Sequence, residues 1–549
     1  MSTSPVLPLM ADGTLPPLPF LLRWLAHAAE RDVRRVRMDR LPPGNGSLPD
    51  LLAGAGIQVL VLGHNPIART FRWEGWSGGR VLVGEADPDA AQPLHHGELP
   101  WSALDGGVDQ ALAGLIDLAR LEDANAASIG VDAGHGAAWD HLLSAFSPTT
   151  SRFEKHARTP RVPPIAGHGA AVADGRLGAW NPLAVARRAL VALPAPRGTA
   201  PWGLRDQRGA RLPVQVVEGP LGRELLTSVQ LGALESVTFE PLFDPVPGSH
   251  WEVSRTVIDN GHVRAELDPL GQVVRLCCDG RFVDWSGPAL QAMVDDLPLA
   301  GSTTTTVLED GPVRGRIAVT RTGERGTLHL TYTVHAHEAV LRVSATWDGD
   351  ADLRLSCPTM VRAAPLEVGG ELSGWNVPQH AIAGRDAMTP IAGLRWARLC
   401  EADRRGVAML GLRPMTISAF AGRLSLHVER TASIALCESA WPANAPGIAQ
   451  QALALGTPAR AVGVATAPVL RLVGDGVVPW WIGRPVDWRG ELLLGQPHGL
   501  RGRCIIYVTA QEAVRQDLRG GVTPLRRTPE GDGFEVDLTA GDVTTIRWR

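Results

Sequence analysis

From about residue 170 the chain is written in short alternating runs, each closed by a glycine, Asp-Gly or proline turn. Val214–Val217, His262–Leu267, Gln272–Leu276, Arg316–Thr320, Thr327–Val334 and Val340–Thr346 are such runs, and Gly533–Leu538 and Thr544–Trp548 close the chain in the same manner. Successive strand residues point to opposite faces, so period-two alternation describes a strand with one face buried. Turn signals that return about every 8–12 residues are the spacing of antiparallel sandwiches. Asp268-Pro-Leu-Gly271 and Asp279-Gly280 are predicted turns, because their residues accept the backbone angles a reversal needs.

The first part reads differently. In Leu21–Val36, apolar residues at Leu21, Leu22, Leu25, Ala28, Ala29 and Val33 have helical spacing. Ser47 is a candidate N-cap for a second helix with Pro49 in its first turn, and Gly54 and Gly56 end it. The apolar run Ile57–Leu62 reads as a buried strand, and helix, glycine turn and strand in that order predict part of an α/β layer. Residues 102–122 and 136–146 read as helices, and 159–170 as a Pro/Gly-rich linker. The predicted organisation is multidomain α+β: an α/β segment over 1–100, a helical bundle segment over 101–165, a β linker domain over 166–250, a large β-sandwich over 251–460 and a C-terminal β-sandwich over 461–549.

Composition excludes several functions. A net charge of −4 with both signs interspersed leaves no basic stripe for nucleic acid. Lys155 is the only lysine, so the arginine excess reflects base composition and not a phosphate site. Six cysteines in 549 residues, none as C-x-x-C, make neither a zinc ribbon nor a disulfide scaffold. No apolar run reaches bilayer-spanning length and Met1–Phe20 lacks the signature of a secretory leader, so a cytoplasmic protein is expected. No Walker A, G-x-S-x-G or dinucleotide fingerprint occurs.

Four passages, in order, resemble glycoside hydrolase family 38, the α-mannosidases. Leu48–Ile57 followed by Thr70-Phe-Arg-Trp-Glu-Gly-Trp-Ser-Gly-Gly-Arg-Val81 is similar to a catalytic-domain stretch of that family. Trp180-Asn-Pro-Leu183 through Arg188 is similar to the approach to its β region. Leu212–Val216 with Ile258–Asp268 is similar to the start of its large sandwich, and Asp537–Arg547 to its last strand. The resemblance implies a galactose-mutarotase-like large sandwich and an N-terminally shortened, degenerate catalytic domain. It also implies α-mannosides as substrate class and a zinc ion.

Retaining glycoside hydrolysis needs a carboxylate nucleophile and a carboxyl acid. The family's zinc is held by a His-x-His-x-Asp strand, the nucleophile aspartate and a later Phe-His-Asp motif. Here no His-x-His-x-Asp precedes residue 50, and Phe146 is followed by Ser147 and Pro148, neither a usual zinc ligand. Asp39, flanked by Arg37 and Arg40, is the one candidate nucleophile, against its plainer reading as a solvated, ion-paired aspartate. Trp73, Glu74 and Trp76 are candidate sugar contacts, with packing as the alternative for each tryptophan. No metal site is predicted. Asp132, His135, Asp140 and His141 are a candidate replacement metal or acid/base site, with helix capping by Asp132 as the plainer reading. His95-His96-Gly-Glu98 reads as a loop or a metal-ligating segment, and His335-Ala-His337 as a polar strand end or a two-histidine metal spacing. Trp480, Trp481 and Trp488 form a second candidate sugar platform. The expected outcome is a carbohydrate-active protein with impaired or lost hydrolysis, or a non-catalytic carbohydrate-binding or scaffold subunit. Such a chain would form a homo-oligomer or pair with another subunit, because a shortened barrel leaves strand edges exposed.

Overall fold

The structure, a computed structural model, describes Leu21, Leu25, Ala28 and Ala29, residues 33–38, 48–62, 71–74 and 80–85, and most of 177–549. The predicted helices of 102–122 and 136–146, the bundle and the linker lie outside the described residues, as do Ser47, His95, His96, Glu98, Ser147 and Pro148.

The N-terminal part is an α/β layer. Leu21, Leu25 and Ala28 are helical and buried, as their spacing predicts. That helix does not continue to Val36: the Val33 N–H donates back to the Ala28 carbonyl, and Arg35–Met38 is strand β1. The local alternation Arg-Val-Arg-Met wins, because Val36 and Met38 both reach the interior as strand residues. Helix α1, Leu48–Gly54, ends in paired bonds from Ile57 N–H to the Leu52 carbonyl and from Gly56 N–H to the Ala53 carbonyl. That closure places Gly56 at φ 87°, a left-handed angle only glycine takes freely. Strand β2, Val59–Leu62, runs parallel to β1, and β4, Arg80–Glu85, parallel to β2. Strand β3, Phe71–Glu74, is the antiparallel edge, giving the order β1-β2-β4-β3.

The next unit holds β5 (Leu177–Trp180), β6 (Arg187–Pro194), β7 (Gly203–Asp206), β8 (Arg211–Pro213), β9 (Gln215–Gly219), β10 (Gly222–Leu231) and β11 (Ser236–Leu242). Sheet β6-β10-β9 packs on a sheet formed by β5, β11, β7 and β8, joined at its edge by Arg460–Val462.

The large unit opens with the sheet of β12 (Glu252–Val253), β13 (Val257–Asp259), β14 (Val263–Leu267), β15 (Val273–Cys278) and β16 (Arg281–Phe282). It continues in a long curled sheet whose order is β18-β17-β23-β28-β27-β29-β22-β21-β20-β19. These are β17 (Gln291–Val294), β18 (Leu297–Pro298), β19 (Ser302–Asp310), β20 (Arg314–Gly323), β21 (Gly326–His335), β22 (Leu341–Asp348), β23 (Leu353–Pro358), β27 (Arg405–Phe420), β28 (Arg423–Val428) and β29 (Thr431–Ala440). The short strands β24 (Leu366–Gly369), β25 (Gly374–Val377) and β26 (Ile391–Leu399) branch from β27. One apolar core fills the curl, with Tyr332 and Trp347 as its largest aromatic side chains. Both polar ends are satisfied: the Tyr332 hydroxyl donates to the Gly271 carbonyl at 2.9 Å and the Trp347 indole to the Ala351 carbonyl at 3.0 Å. The Asp268–Gly271 turn forms as predicted, with Gly271 at φ 68° and a Val319 methyl carbon filling the place a Cβ would take. Helix α2, Gly447–Gly456, packs on β26 and β27, and residues 471–548 form two further antiparallel sheets.

Two polar seams join the units. Gln215 accepts from the N–H groups of Val313 and Arg314, and Ser228 donates to the Ala336 carbonyl. All six cysteines are free and buried. Among the described residues no helix is long and apolar enough to cross a membrane.

Candidate functional site

In a parallel sheet the strand ends converge at the carboxyl edge, where loops carry ligand-binding groups. Here Met38, Leu62 and Glu85 share the last register level of β1, β2 and β4. Asp39 is the next residue in the chain after β1; it lies outside the described residues, as do Trp76, Asp132, His135, Asp140 and His141. The level of Trp73 and Glu74 is fixed by their pairing with Val81 and Arg80. Arg80 and Glu85 are five positions apart on β4, which is about 17 Å along a strand. The backbone therefore sets Trp73 and Glu74 toward the amino edge of β4, and Met38 at the opposite, carboxyl edge.

A second assembly, fully described, lies where three turns meet β6. Asn260, wholly buried, ties it together: its amide donates to the His335 and Glu338 carbonyls at 2.6 and 2.8 Å, and its oxygen accepts from the His262 and Val263 N–H groups. The Asp279-Gly280 turn, predicted from sequence, brings Asp279 to His262, carboxylate to Nδ1 at 2.9 Å. His337, at φ 63°, sets its ring edge-on to His262 with centroids 5.9 Å apart. Burial lowers the His337 pKa, with Arg188 of β6 and His262 acting in the same direction. The dyad can orient an imidazole with Nε2 outward, and the neutral His337 can give or take a hydrogen bond beside it.

The alternate residues His335 and His337 do not converge on one point. His335 is buried against Glu338 at 3.2 Å, and Glu338 grips Arg342 through both carboxylate oxygens. Burial, with Arg342 alongside, lowers the His335 pKa. Burial would raise that of Glu338, but Arg342 and His335 outweigh it and hold this carboxyl well below the usual range. The left-handed turn after β21 sends the two side chains to different neighbours. Spacing alone carries no such information. Nor does it show that His262 and Asp279, 17 residues apart, form a pair; only the β13–β16 sheet does that.

Of the second candidate sugar platform, Trp480 and Trp481 pair through their backbones with Leu493 and Leu492, and Trp488 is half-buried beneath the Arg549 guanidinium, 5.1 Å from the ring centre. One face of Trp488 is thus already taken by a cation.

The resemblance implies zinc, and the donor set tests it. Among the described residues no three His, Cys, Asp or Glu side chains converge so as to hold a metal ion. Asp39, Ser147 and Pro148, at the positions where the resembling family carries its ligands, lie outside the described residues.

No protein-family model matches the chain, and no curated protein does. Solved structures do. A protein in glycosyl hydrolase family 38 from Enterococcus faecalis matches over 100% of this chain and 90% of its own length, with TM-score 0.59 and 11% identity. An α-mannosidase from Enterococcus faecalis V583 matches over 68% of this chain with TM-score 0.51 and 11% identity, and the chain spans only 56% of that protein's length. At such identity the likeness is one of fold: a β-rich multidomain architecture of the family 38 type.

Proposed function

We propose that this chain is a carbohydrate-active protein that binds α-mannosidic glycans at the carboxyl edge of the β1-β2-β4 sheet, with hydrolysis weak or lost. The observation that carries this reading is the fold likeness along the whole chain, combined with the parallel sheet whose first strand leads directly into Asp39. Asp39 is the residue we assign as the surviving carboxylate of a retaining pair. Ser147 and Pro148, standing where the resembling family has a histidine and an aspartate, support the loss of turnover. Trp73, Glu74 and Trp76 are proposed as outer contacts to a longer glycan, since the β3 level is remote from the Met38 level.

The test is calorimetric titration with α-mannobiose beside aryl α-mannoside hydrolysis with and without added zinc. Saturable binding abolished by Asp39→Asn, with no turnover, is the expected result. Zinc-dependent hydrolysis at the rate of a full enzyme would overturn the loss of activity, and no binding to any mannoside would overturn the carbohydrate reading.

A further inference from the structure

We propose that Ser418, His427 and Asp352 form a nucleophilic site on the large sandwich that cleaves small carboxylic esters. The inference is independent of the mannoside reading and of the α/β layer.

Register builds the site. In β23, β28 and β27, alternate residues enter the apolar core: Leu353, Leu355 and Cys357; Leu424, Leu426 and Val428; Met415, Ile417 and Ala419. The intervening residues therefore share the opposite face. Cross-strand pairing lines them up in two rows, Ser356–Ser425–Ser418 and Arg354–His427–Thr416. A diagonal contact between the rows sets Ser418 Oγ 2.9 Å from His427 Nε2. The other ring nitrogen, Nδ1, faces the Asp352 carboxylate at 3.6 Å. That is an ion-pair distance and not a closed hydrogen bond, and such contacts commonly tighten only when substrate is bound. Nucleophile, base and orienting carboxylate thus stand in the order that hydroxyl activation requires.

The surroundings suit the chemistry. Ser356, Ser418 and Ser425 are out of solvent although they face away from the core, while His427 and Thr416 are half-buried and Asp352 is exposed. Burial lowers the His427 pKa against the pull of Asp352, and Arg354, the other charged group facing it, adds to the lowering. Arg354 is itself held by Asp296 at 2.8 Å and Asp352 at 3.3 Å. A histidine neutral at pH 7 is ready to accept the serine proton. Ser356 and Ser425 hydroxyls lie 2.8 Å apart, so one donates to the other and one hydrogen is left over. Ser425 is directly opposite Ser418, where its hydrogen can meet a developing oxyanion.

In the step assigned here, Ser418 Oγ bonds to the acyl carbon and its proton passes to His427 Nε2. The ester C–O bond then breaks, and the alcohol leaves with that proton. Water, giving its proton to His427, attacks the acyl-serine. The carboxylic acid departs and Ser418 regains its proton. No redox partner is needed.

The experiment uses the full chain. Diisopropyl fluorophosphate is added to the unmutated protein and the adduct is located by peptide mass mapping, while p-nitrophenyl acetate hydrolysis is followed from pH 5 to 8. The expected result is one adduct, on Ser418, with hydrolysis rising through a midpoint below pH 6.5. Ser418→Ala should abolish both. His427→Gln should slow labelling on the order of 10²-fold or more, and Ser425→Ala should slow ester turnover by about 10²-fold. Ser344→Ala, on β22 and separated from β27 by β29, should leave both unchanged. No adduct on Ser418 under conditions that label trypsin, an adduct on another serine, or hydrolysis unchanged by Ser418→Ala would each overturn the proposal. The labelling of unmutated protein decides the matter even if a variant fails to fold.

Discussion

The parallel sheet of residues 35–85 and the curled sheet of residues 291–440 bury apolar strands by opposite means. The first uses strands of four to six residues, with apolar runs such as Val59–Leu62, and depends on α1 and its glycine closure to bring the chain back. The second uses strands of up to sixteen residues whose alternation gives each a core face and a polar face. The difference teaches where chemistry can sit. On the parallel sheet it must come from beyond the strand ends, which is why Asp39, the next residue in the chain after β1, is the one proposed. On the antiparallel sheet it can stand within strands, fixed by register, as at Ser418 and His427.

The contrast also predicts how each region fails. Trp347→Ala, which empties the largest aromatic site of the curled core, should destabilise the protein by ~3–5 kcal/mol and move the main denaturant transition. A shift confined to a minor transition would show that the curled sheet is not the dominant cooperative unit. Asn260→Ala leaves two carbonyls and two N–H groups without their partner in a buried turn cluster and should cost about 3 kcal/mol, while also releasing the His262–Asp279 pair, visible in the His262 imidazole resonances.

Acid should act next, in two stages. His335 has a folded pKa below 6.5, so the unfolded chain binds its proton first, and stability falls as pH drops below about 6.5. Glu338 has a folded pKa below 4.5, so its contribution, full above that value, is lost as pH falls further. Denaturation midpoints between pH 8 and 3 should show both stages, and His335→Gln should remove the first and weaken the second, because His335 helps Arg342 to hold Glu338 ionised. The smallest effect belongs to the parallel sheet: Gly56→Ala, forcing a side chain into φ 87°, should cost about 1 kcal/mol, speeding amide exchange at β1 and β2 with the main transition unmoved. Slowed exchange there would break the distinction between the regions.

Much of the fold was legible. The turns at Asp268–Gly271 and Asp279-Gly280, the strands around them and the α1–Gly56–β2 sequence follow from local rules, because a turn residue and a two-residue period act over a few neighbours. The helical spacing of Leu21–Val36 does not reach Val36 in the structure, because apolar spacing fits both periods over so short a stretch and burial of Val36 and Met38 decides for the strand. The candidate sites were less legible. His335 and His337 look like one pair in sequence, yet a left-handed turn divides them. Ser418 and His427, nine residues apart, meet only because the β27–β28 hairpin sets them on one face of the sheet.

By itself, then, the sequence determined where the chain turns, which residues of each strand are apolar, and that no basic stripe or cysteine scaffold is present. The tertiary structure alone decided which polar residues meet: Asn260 with the β21–β22 turn, His262 with Asp279, Asp352 with His427 and Ser418. The reason is the pairing register. A strand's alternation says which side chains share a face, but only its partner's offset says which neighbour each will touch.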